Sequence, residues 1–210
     1  MASSTETGSS CQPTLTSRQQ LALETKDKIY QAAIRVINEK GYDHVSIEDI
    51  TTEANVAKGS FYTHFNSKAD IIFYNVQKSD CLYECAYRKA VAEQTEFVPL
   101  LMEFIHLSYT ENEKRGKGII RANIANYFSF PDYDFYNKDR ALLRCLGQIV
   151  EFGKKEKVLD STVPTDLYVE ELLSTMIGAE VLWCYDNTGR TLVELLDNAF
   201  HLTTKGMIRN

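Results

Sequence analysis

The 210-residue sequence has few residues that interrupt helices, with only four prolines and ten glycines. It also lacks any run approaching the roughly 20 uninterrupted apolar residues that a transmembrane helix needs, so we expect no membrane association. Apolar residues recur with a helical period, and no segment alternates in the manner of a strand. We therefore predict an all-α protein.

A targeting segment is missing as well. The N-terminal stretch MASSTETGSSCQPTLTS is polar and has neither the basic start nor the apolar stretch of a signal peptide. We predict a disordered tail over residues 1–16 and, without an export signal, a cytoplasmic protein whose five cysteines remain thiols. The net charge of −6 argues against indiscriminate binding to polyanions, although a local basic site needs only a few placed donors.

The sequence contains no recognisable catalytic motif. It has no Gly-x-Ser-x-Gly elbow, no phosphate-binding loop and no His-Glu-x-x-His. Cys81 and Cys85 lie four apart on one predicted helix without a neighbouring His or Cys, so we interpret them as small buried hydrophobic side chains. We predict no enzymatic activity, no metal and no cofactor.

The helical pattern divides the chain into two domains after the tail. Residues 17–67 are predicted to form a three-helix head, and residues 68–210 a larger helical body. Within the body we predict one long helix from about 132 to 157 and a final helical pair over about 166–185 and 192–205.

Local signals in the head indicate a helix-turn-helix. Ser46 and Asp49 have the spacing of a capping box at the start of a second helix. Asn55 tolerates the left-handed conformation that breaks this helix. Phe61 and Phe65 lie four apart on a third helix and are expected to pack inward. A short helix, a three-residue turn and a second short helix are typical of DNA-binding proteins.

From about residue 28 to 72 the sequence resembles the TetR-type bacterial transcriptional regulators. Two departures are Asn55, where glycine is usual, and Ala57, where a serine or threonine would add a helix cap of roughly 1 kcal/mol. The matching residues are Ala32, Ala33, Gly41, Tyr42, Ser46, Asp49, Ile50, Ala54, Val56, Lys58, Gly59, Ser60, Tyr62, His64, Phe65 and Lys68.

The resemblance implies a DNA-binding role for eight residues. Ser46 is expected to cap its helix and reach phosphate, and Lys58 to reach phosphate or a base edge. Gly59 would let the backbone approach the duplex closely. The other five comprise the groove-facing Ser60, Tyr62 and Thr63 and the phosphate-contacting His64 and Lys68.

The body is expected to bind a small molecule. Tyrosines with polar tips suit a mostly apolar cavity with a few orienting groups, although plain core packing is the alternative for each residue. The expected pocket residues are Tyr83, Tyr87, Phe104, His106, Tyr109, Asn123, Tyr127 and Trp183.

The resemblance thus implies a sequence-specific regulator that binds double-stranded DNA as a homodimer at a palindromic operator. We expect a repressor that a small-molecule effector releases through the helix beginning at Lys68. The alternative is a dimer of the same fold that responds to a protein partner or activates transcription, without a small-molecule ligand. We expect the final two helices to form the dimer surface, where Gly178 would permit close approach of helices. The apolar residues expected at this surface are Leu172, Leu173, Met176, Ile177, Leu182, Leu192, Leu195, Leu196 and Phe200.

Overall fold

A computed structural model describes residues 16–127 and 136–208. Within these ranges the chain forms α-helices, one 3-10 turn and no strand, which confirms the predicted fold class. Of the predicted tail, only Thr16 is described. The helices are α1 Ser17–Lys40, α2 Ile47–Glu53, α3 Lys58–His64, α4 Lys68–Glu93, α5 Phe97–Lys114, α6 Lys117–Asn126, α7 Ala141–Lys155, α8 Thr165–Tyr185 and α9 Leu192–Met207, and the 3-10 turn is Tyr42–His44.

The start of α7 differs from the prediction of a helix beginning near residue 132. Residues 136–140 form turns and a bend, and α7 begins only at Ala141. Residues 132–135 lie outside the described ranges. Arg140 precedes the helix and its guanidinium donates to Asp80 Oδ1 on α4 at 3.0 Å. This long-range ion pair involves the N-cap residue of α7, and helical periodicity alone gives no sign of it.

The head is organised around aromatic side chains. Phe61 and Phe65 are buried, and their ring centroids lie 5.7 Å apart. Tyr74 of α4 packs edge-on against both Phe65 and Tyr30 of α1, at 5.7 and 5.3 Å. Asn55 has φ of 49°, as its place at the end of α2 predicted. The second turn of α4 thus shares a core with α1 and α3.

The apolar side chains of α8 and α9 mostly face the body's own core. The prediction that they supply a dimer surface is wrong for seven of the nine residues, because α8 and α9 pack on each other, α7 lies against α8 and α5 against α9. Leu182 is 63% exposed and Ile177 is half-buried. The buried seven are Leu172, Leu173, Met176, Leu192, Leu195, Leu196 and Phe200.

Cys81 and Cys85 are also placed differently from the prediction, since both are exposed. The buried face of α4 is set by Ser79, Tyr83 and Ala86, which recur at helical spacing and leave the two cysteines on other faces. Among the described residues, no group of three His, Cys, Asp or Glu side chains is arranged to hold a metal. In the same ranges, every helix is too short or too polar to span a bilayer.

The head and the body meet where α1 touches the start of α6. Asn38 Oδ1 accepts a hydrogen bond from the Gly118 backbone N–H at 2.7 Å, and Asn38 Nδ2 donates to the Arg115 carbonyl at 2.7 Å. A Cβ at Gly118 would lie 2.7 Å from Asn38 Cα and 2.9 Å from the Ile37 carbonyl oxygen. The close approach of the two helices therefore requires glycine at position 118.

We expect Gly118→Ala to lower the free energy of unfolding by about 1–3 kcal/mol, because the new methyl group meets the backbone of α1. The matched control is Gly147→Ala in α7, where a Cβ would meet nothing within 4 Å. That change should be neutral or stabilise by up to about 1 kcal/mol. Urea denaturation of both variants measures the difference, and equal stabilities would show that α1 and α6 are not in tight contact.

Candidate nucleic-acid interface and buried cavity

The orientation of α3 is fixed by its buried side. Phe61 and Phe65 point into the head, so the opposite side of this short helix faces solvent. A solvent-facing second helix of a helix-turn-helix is the element that enters a major groove. The exposed residues on it are Lys58, Gly59, Tyr62 and Thr63.

Ser46 caps α2, as the capping-box spacing predicted. Its Oγ accepts a hydrogen bond from the Asp49 N–H at 3.1 Å, while the Asp49 carboxylate accepts from the Ser46 N–H at 2.8 Å. Lys40 donates to the same carboxylate at 2.6 Å. These hydrogen bonds, that of Lys40 foremost, hold the pKa of Asp49 well below its usual range. A contact of Ser46 with phosphate remains a prediction.

Lys58 forms an exposed ion pair with Glu48 of α2. The hydrogen bond between them raises the pKa of Lys58 and lowers the pKa of Glu48. Exposed pairs of this kind are weak and screened by salt. A DNA phosphate can therefore replace Glu48 as the partner of Lys58 at little cost.

The middle of α3 presents hydrogen-bonding and apolar surface together. The Tyr62 side chain is 49% exposed, and its ring stands edge-on to Phe61 with centroids 5.5 Å apart. Thr63 Oγ1 donates to the Gly59 carbonyl at 3.1 Å, which leaves the hydroxyl oxygen able to accept. Space beside Gly59 is open, and Ser60 is half-buried.

His64 and Lys68 are more constrained than the sequence indicated. Burial, with a smaller contribution from the Lys26 ammonium, lowers the pKa of His64, so its imidazole is neutral at pH 7 and offers one N–H. Lys68 Nζ donates to the Tyr42 and Val45 carbonyls at 2.6 and 3.0 Å. Two of its three N–H groups thus hold the head together, and one is left for phosphate.

In the body, a cavity of about 40 Å³ lies among α4, α5, α6 and α8 and beside the start of α7. Four of the eight expected pocket residues line it, so the structure brings together side chains that are far apart in sequence. These are Tyr83, Tyr109, Asn123 and Tyr127.

The other four expected residues do not line this cavity. Phe104 is fully buried beside the Tyr83 ring, at 6.3 Å between centroids. His106 pairs with Asp197 on α9, and Trp183 Nε1 donates to the Arg190 carbonyl at 3.2 Å. Tyr87 is half-buried elsewhere on α4. Core packing and surface pairing, rather than the cavity, account for their positions.

Sequence reasoning missed the polar residues Ser79, Asn112, Arg140 and Glu180, which also line the cavity. The sequence does contain a pattern that could have identified Glu180, because it is the one charged residue between Leu172 and Cys184 and it falls among the buried residues of α8. The others follow no pattern that a single helix reveals.

Burial dominates the electrostatics of the cavity. It raises the pKa of Glu180 to about 8 and that of Tyr83 to about 12, and it raises the pKa of Tyr109 well above its usual value. The Oδ1 atom of Asn123 is buried without a hydrogen-bond donor. At pH 7 the wall is therefore mostly uncharged but rich in hydroxyl, amide and carboxyl groups.

Comparison with known proteins gives sequence matches in the segment that runs from α1 to the start of α4. Residues 29–74 match the family described as bacterial regulatory proteins, tetR family. The HTH-type transcriptional regulator YvdT of Bacillus subtilis is 54% identical over 46 residues, which cover 22% of this chain and 24% of YvdT. The biofilm operon icaADBC HTH-type negative transcriptional regulator IcaR of Staphylococcus aureus is 44% identical over 52 residues, or 25% and 28% of the two chains.

The matches to these curated relatives thus span about a quarter of their length. A solved structure extends the likeness of the fold to the body: Thermus thermophilus FadR, a TetR-family repressor in complex with lauroyl-CoA, aligns with a TM-score of 0.59 over 88% of this chain and 96% of its own. At 21% identity this similarity shows the fold alone.

We expect Lys58→Ala to weaken duplex binding across all sequences and to reduce the slope of log K against log salt by about one, because one phosphate contact is lost. Glu48→Gln should have the opposite effect on affinity, since it frees Lys58 from its partner. Binding measured by fluorescence anisotropy over a salt series checks both. Exposed Glu156→Gln on the body is the control, and unchanged binding in both head variants would remove Lys58 from the interface.

The carboxyl of Glu180 should make stability depend on pH. Its pKa is about 8 in the folded chain and 4.5 without burial, so the folded state holds more protons between these values and stability falls as pH rises through this window. We expect Glu180→Gln to flatten the fall in Tm between about pH 5 and 8. Scanning calorimetry of both proteins measures this, and parallel curves would show that Glu180 is solvated.

Proposed function

We propose that this chain is a transcriptional repressor of the TetR family that binds a palindromic operator as a homodimer, and the match of residues 29–74 to that family supports the proposal. The observation that carries the proposal is the burial of Phe61 and Phe65, which turns the exposed side of α3 outward. Phosphate contacts position such a reader, and a few side chains address base edges. The curated relative IcaR is itself a negative regulator.

A dimer is supported by the surface of the last two helices. Although most apolar residues of α8 and α9 face the core, Leu182 and Tyr185 on α8 and Leu202 on α9 are 63%, 79% and 70% exposed. In the second half of α8, from Met176 to Tyr185, the only charged residue is the buried Glu180, so the exposed side of this segment is apolar, which is typical of a surface that another element covers. A second copy that covers these residues would give a dimer with two recognition helices, which a palindromic operator requires to lie about 34 Å apart.

A route for effector control runs along α4. Ser79 lines the cavity, and its Oγ accepts a hydrogen bond from the Arg115 guanidinium at 2.7 Å. The same guanidinium donates to Asn75 Oδ1 at 3.2 Å, and the Tyr30 hydroxyl of α1 donates to that atom at 2.5 Å. A ligand that displaces Ser79 would therefore disturb hydrogen bonds that reach the head.

The size of the cavity supports a release mechanism that requires opening. A volume of about 40 Å³ is well below the roughly 300 Å³ of ordinary ligand pockets, so most effectors would have to separate α4, α5 and α8. Such a ligand would favour a conformation that differs in the position of α4. The same small volume favours the second candidate, a repressor of this fold that responds to a protein partner and has no small-molecule ligand.

The proposal predicts that the unmodified chain is a dimer in solution and retains palindromic duplexes selected from genomic DNA. Leu182→Glu should give a monomer, because it buries a charge against the partner's apolar surface, and should lose binding to the selected duplex. Light scattering after size exclusion and footprinting of the duplex are the measurements.

The control is Val91→Glu, which alters an exposed apolar residue of α4 and should leave the dimer intact. A monomeric unmodified chain, or a dimer that retains no duplex above a shuffled sequence, would overturn the proposal.

A further inference from the structure

Two hydrogen-bond acceptors in the cavity wall have no donor. Asn123 is 8% exposed, and its Oδ1 atom is buried without a hydrogen-bond donor. The Glu180 carboxyl is 7% exposed, and no described residue donates to it or forms an ion pair with it. Buried polar groups in proteins are almost always paired. The two acceptors line one space, so a ligand with several N–H donors would satisfy both.

The charges around the cavity favour a cation. Arg140 is the one basic residue among the described residues that line it, and its guanidinium is already paired with Asp80 at 3.0 Å. The Arg115 guanidinium, which donates to Ser79 Oγ at 2.7 Å, forms no ion pair with Glu180, so an ionised Glu180 would have no counter-ion in contact with it. The rings of Tyr83 and Tyr109 add faces that attract cations.

We propose that the ligand of this cavity is a primary amine bound as its ammonium ion, with the Glu180 carboxylate as counter-ion and Asn123 Oδ1 as a second acceptor. This assignment rests on the proposed function, because it names the class of effector that the body recognises. A primary ammonium fits better than a quaternary one, since only the former donates hydrogen bonds. At about 40 Å³ the cavity exceeds the roughly 10–15 Å³ needed to hold one water, so it has room for an ammonium head, while the alkyl chain of the amine would require the helices to separate.

Binding would release a proton. Near pH 7 the Glu180 carboxyl is mostly protonated because burial raises its pKa to about 8. The arriving ammonium keeps its own proton, and the carboxyl transfers its proton to the buffer as the ion pair forms. The other ionisable groups that line the cavity are Tyr83 of α4, Tyr109 of α5, Tyr127 after α6 and Arg140 before α7. Burial raises the pKa of Tyr83 and of Tyr109, so these two hydroxyls keep their protons.

The test is calorimetric titration of the full chain with butylammonium at pH 7 in phosphate and in MOPS, whose ionisation enthalpies differ. The heats should differ between the buffers by the amount expected for release of nearly one proton. Butan-1-ol and butyltrimethylammonium should bind about tenfold or more weakly, because the first lacks the charge and the second lacks the N–H donors. Equal binding of butan-1-ol, or heats independent of buffer, would overturn the proposal.

Variants separate the two acceptors. Glu180→Gln should abolish proton release and weaken butylammonium binding about tenfold or more, whereas Asn123→Leu should weaken binding but keep the release. Glu171→Gln, an exposed carboxylate on the same helix, should change neither. Unchanged affinity in both cavity variants would contradict the assignment.

The same titration distinguishes the inference from the function on which it rests. Retention of duplex DNA is measured with and without butylammonium. A chain that binds the amine as described but retains no duplex would contradict the repressor and leave the amine site standing. A chain that retains its duplex but shows no amine binding would contradict only the amine site.

Discussion

The burial of Phe61 and Phe65 is the constraint on which the DNA-facing geometry depends. Because the two rings lie four residues apart, their contact with the head core fixes the rotation of α3 and thereby selects which side chains meet solvent. Under the proposed function, the two rings would influence specificity without touching DNA. The short helix has no side-chain cap at Ala57, so tertiary packing, rather than intrinsic helix stability, holds it in place.

The continuous helix α4 contributes side chains to both the head and the body. Its second turn contributes Tyr74 to the aromatic cluster of the head, and its middle contributes Ser79 and Tyr83 to the cavity wall. A helix of 26 residues is about 39 Å long, which is enough to reach from the head to the cavity. The contact of Asn38 with Gly118 forms a second junction, so a shift of α4 alone would strain the head against α6.

The sequence predicted those features that depend on neighbours along the chain. The capping box at Ser46, the left-handed Asn55 and the inward pair of phenylalanines each follow from spacing within one turn or two. It did not predict that Lys68 binds the carbonyls of Tyr42 and Val45, since that contact requires the chain to return across more than twenty residues. The same limit explains why half of the expected pocket residues lie elsewhere.

The position of Glu180 argues that the cavity is more than a packing defect. An isolated buried carboxyl lowers the stability of the fold in both of its protonation states. The charged form lacks a counter-ion, and the neutral form must hold a proton at a pH above the usual pKa of a carboxyl. An apolar residue would complete the stripe of α8 at no such cost. When a ligand of opposite charge binds beside such a carboxyl, the free energy of the body falls. Part of the free energy that the buried carboxyl costs in the empty state would therefore be recovered on binding. Ser79 lies on the same wall and is hydrogen-bonded to Arg115. Binding at Glu180 would therefore occur beside the hydrogen bonds that connect the cavity to the head.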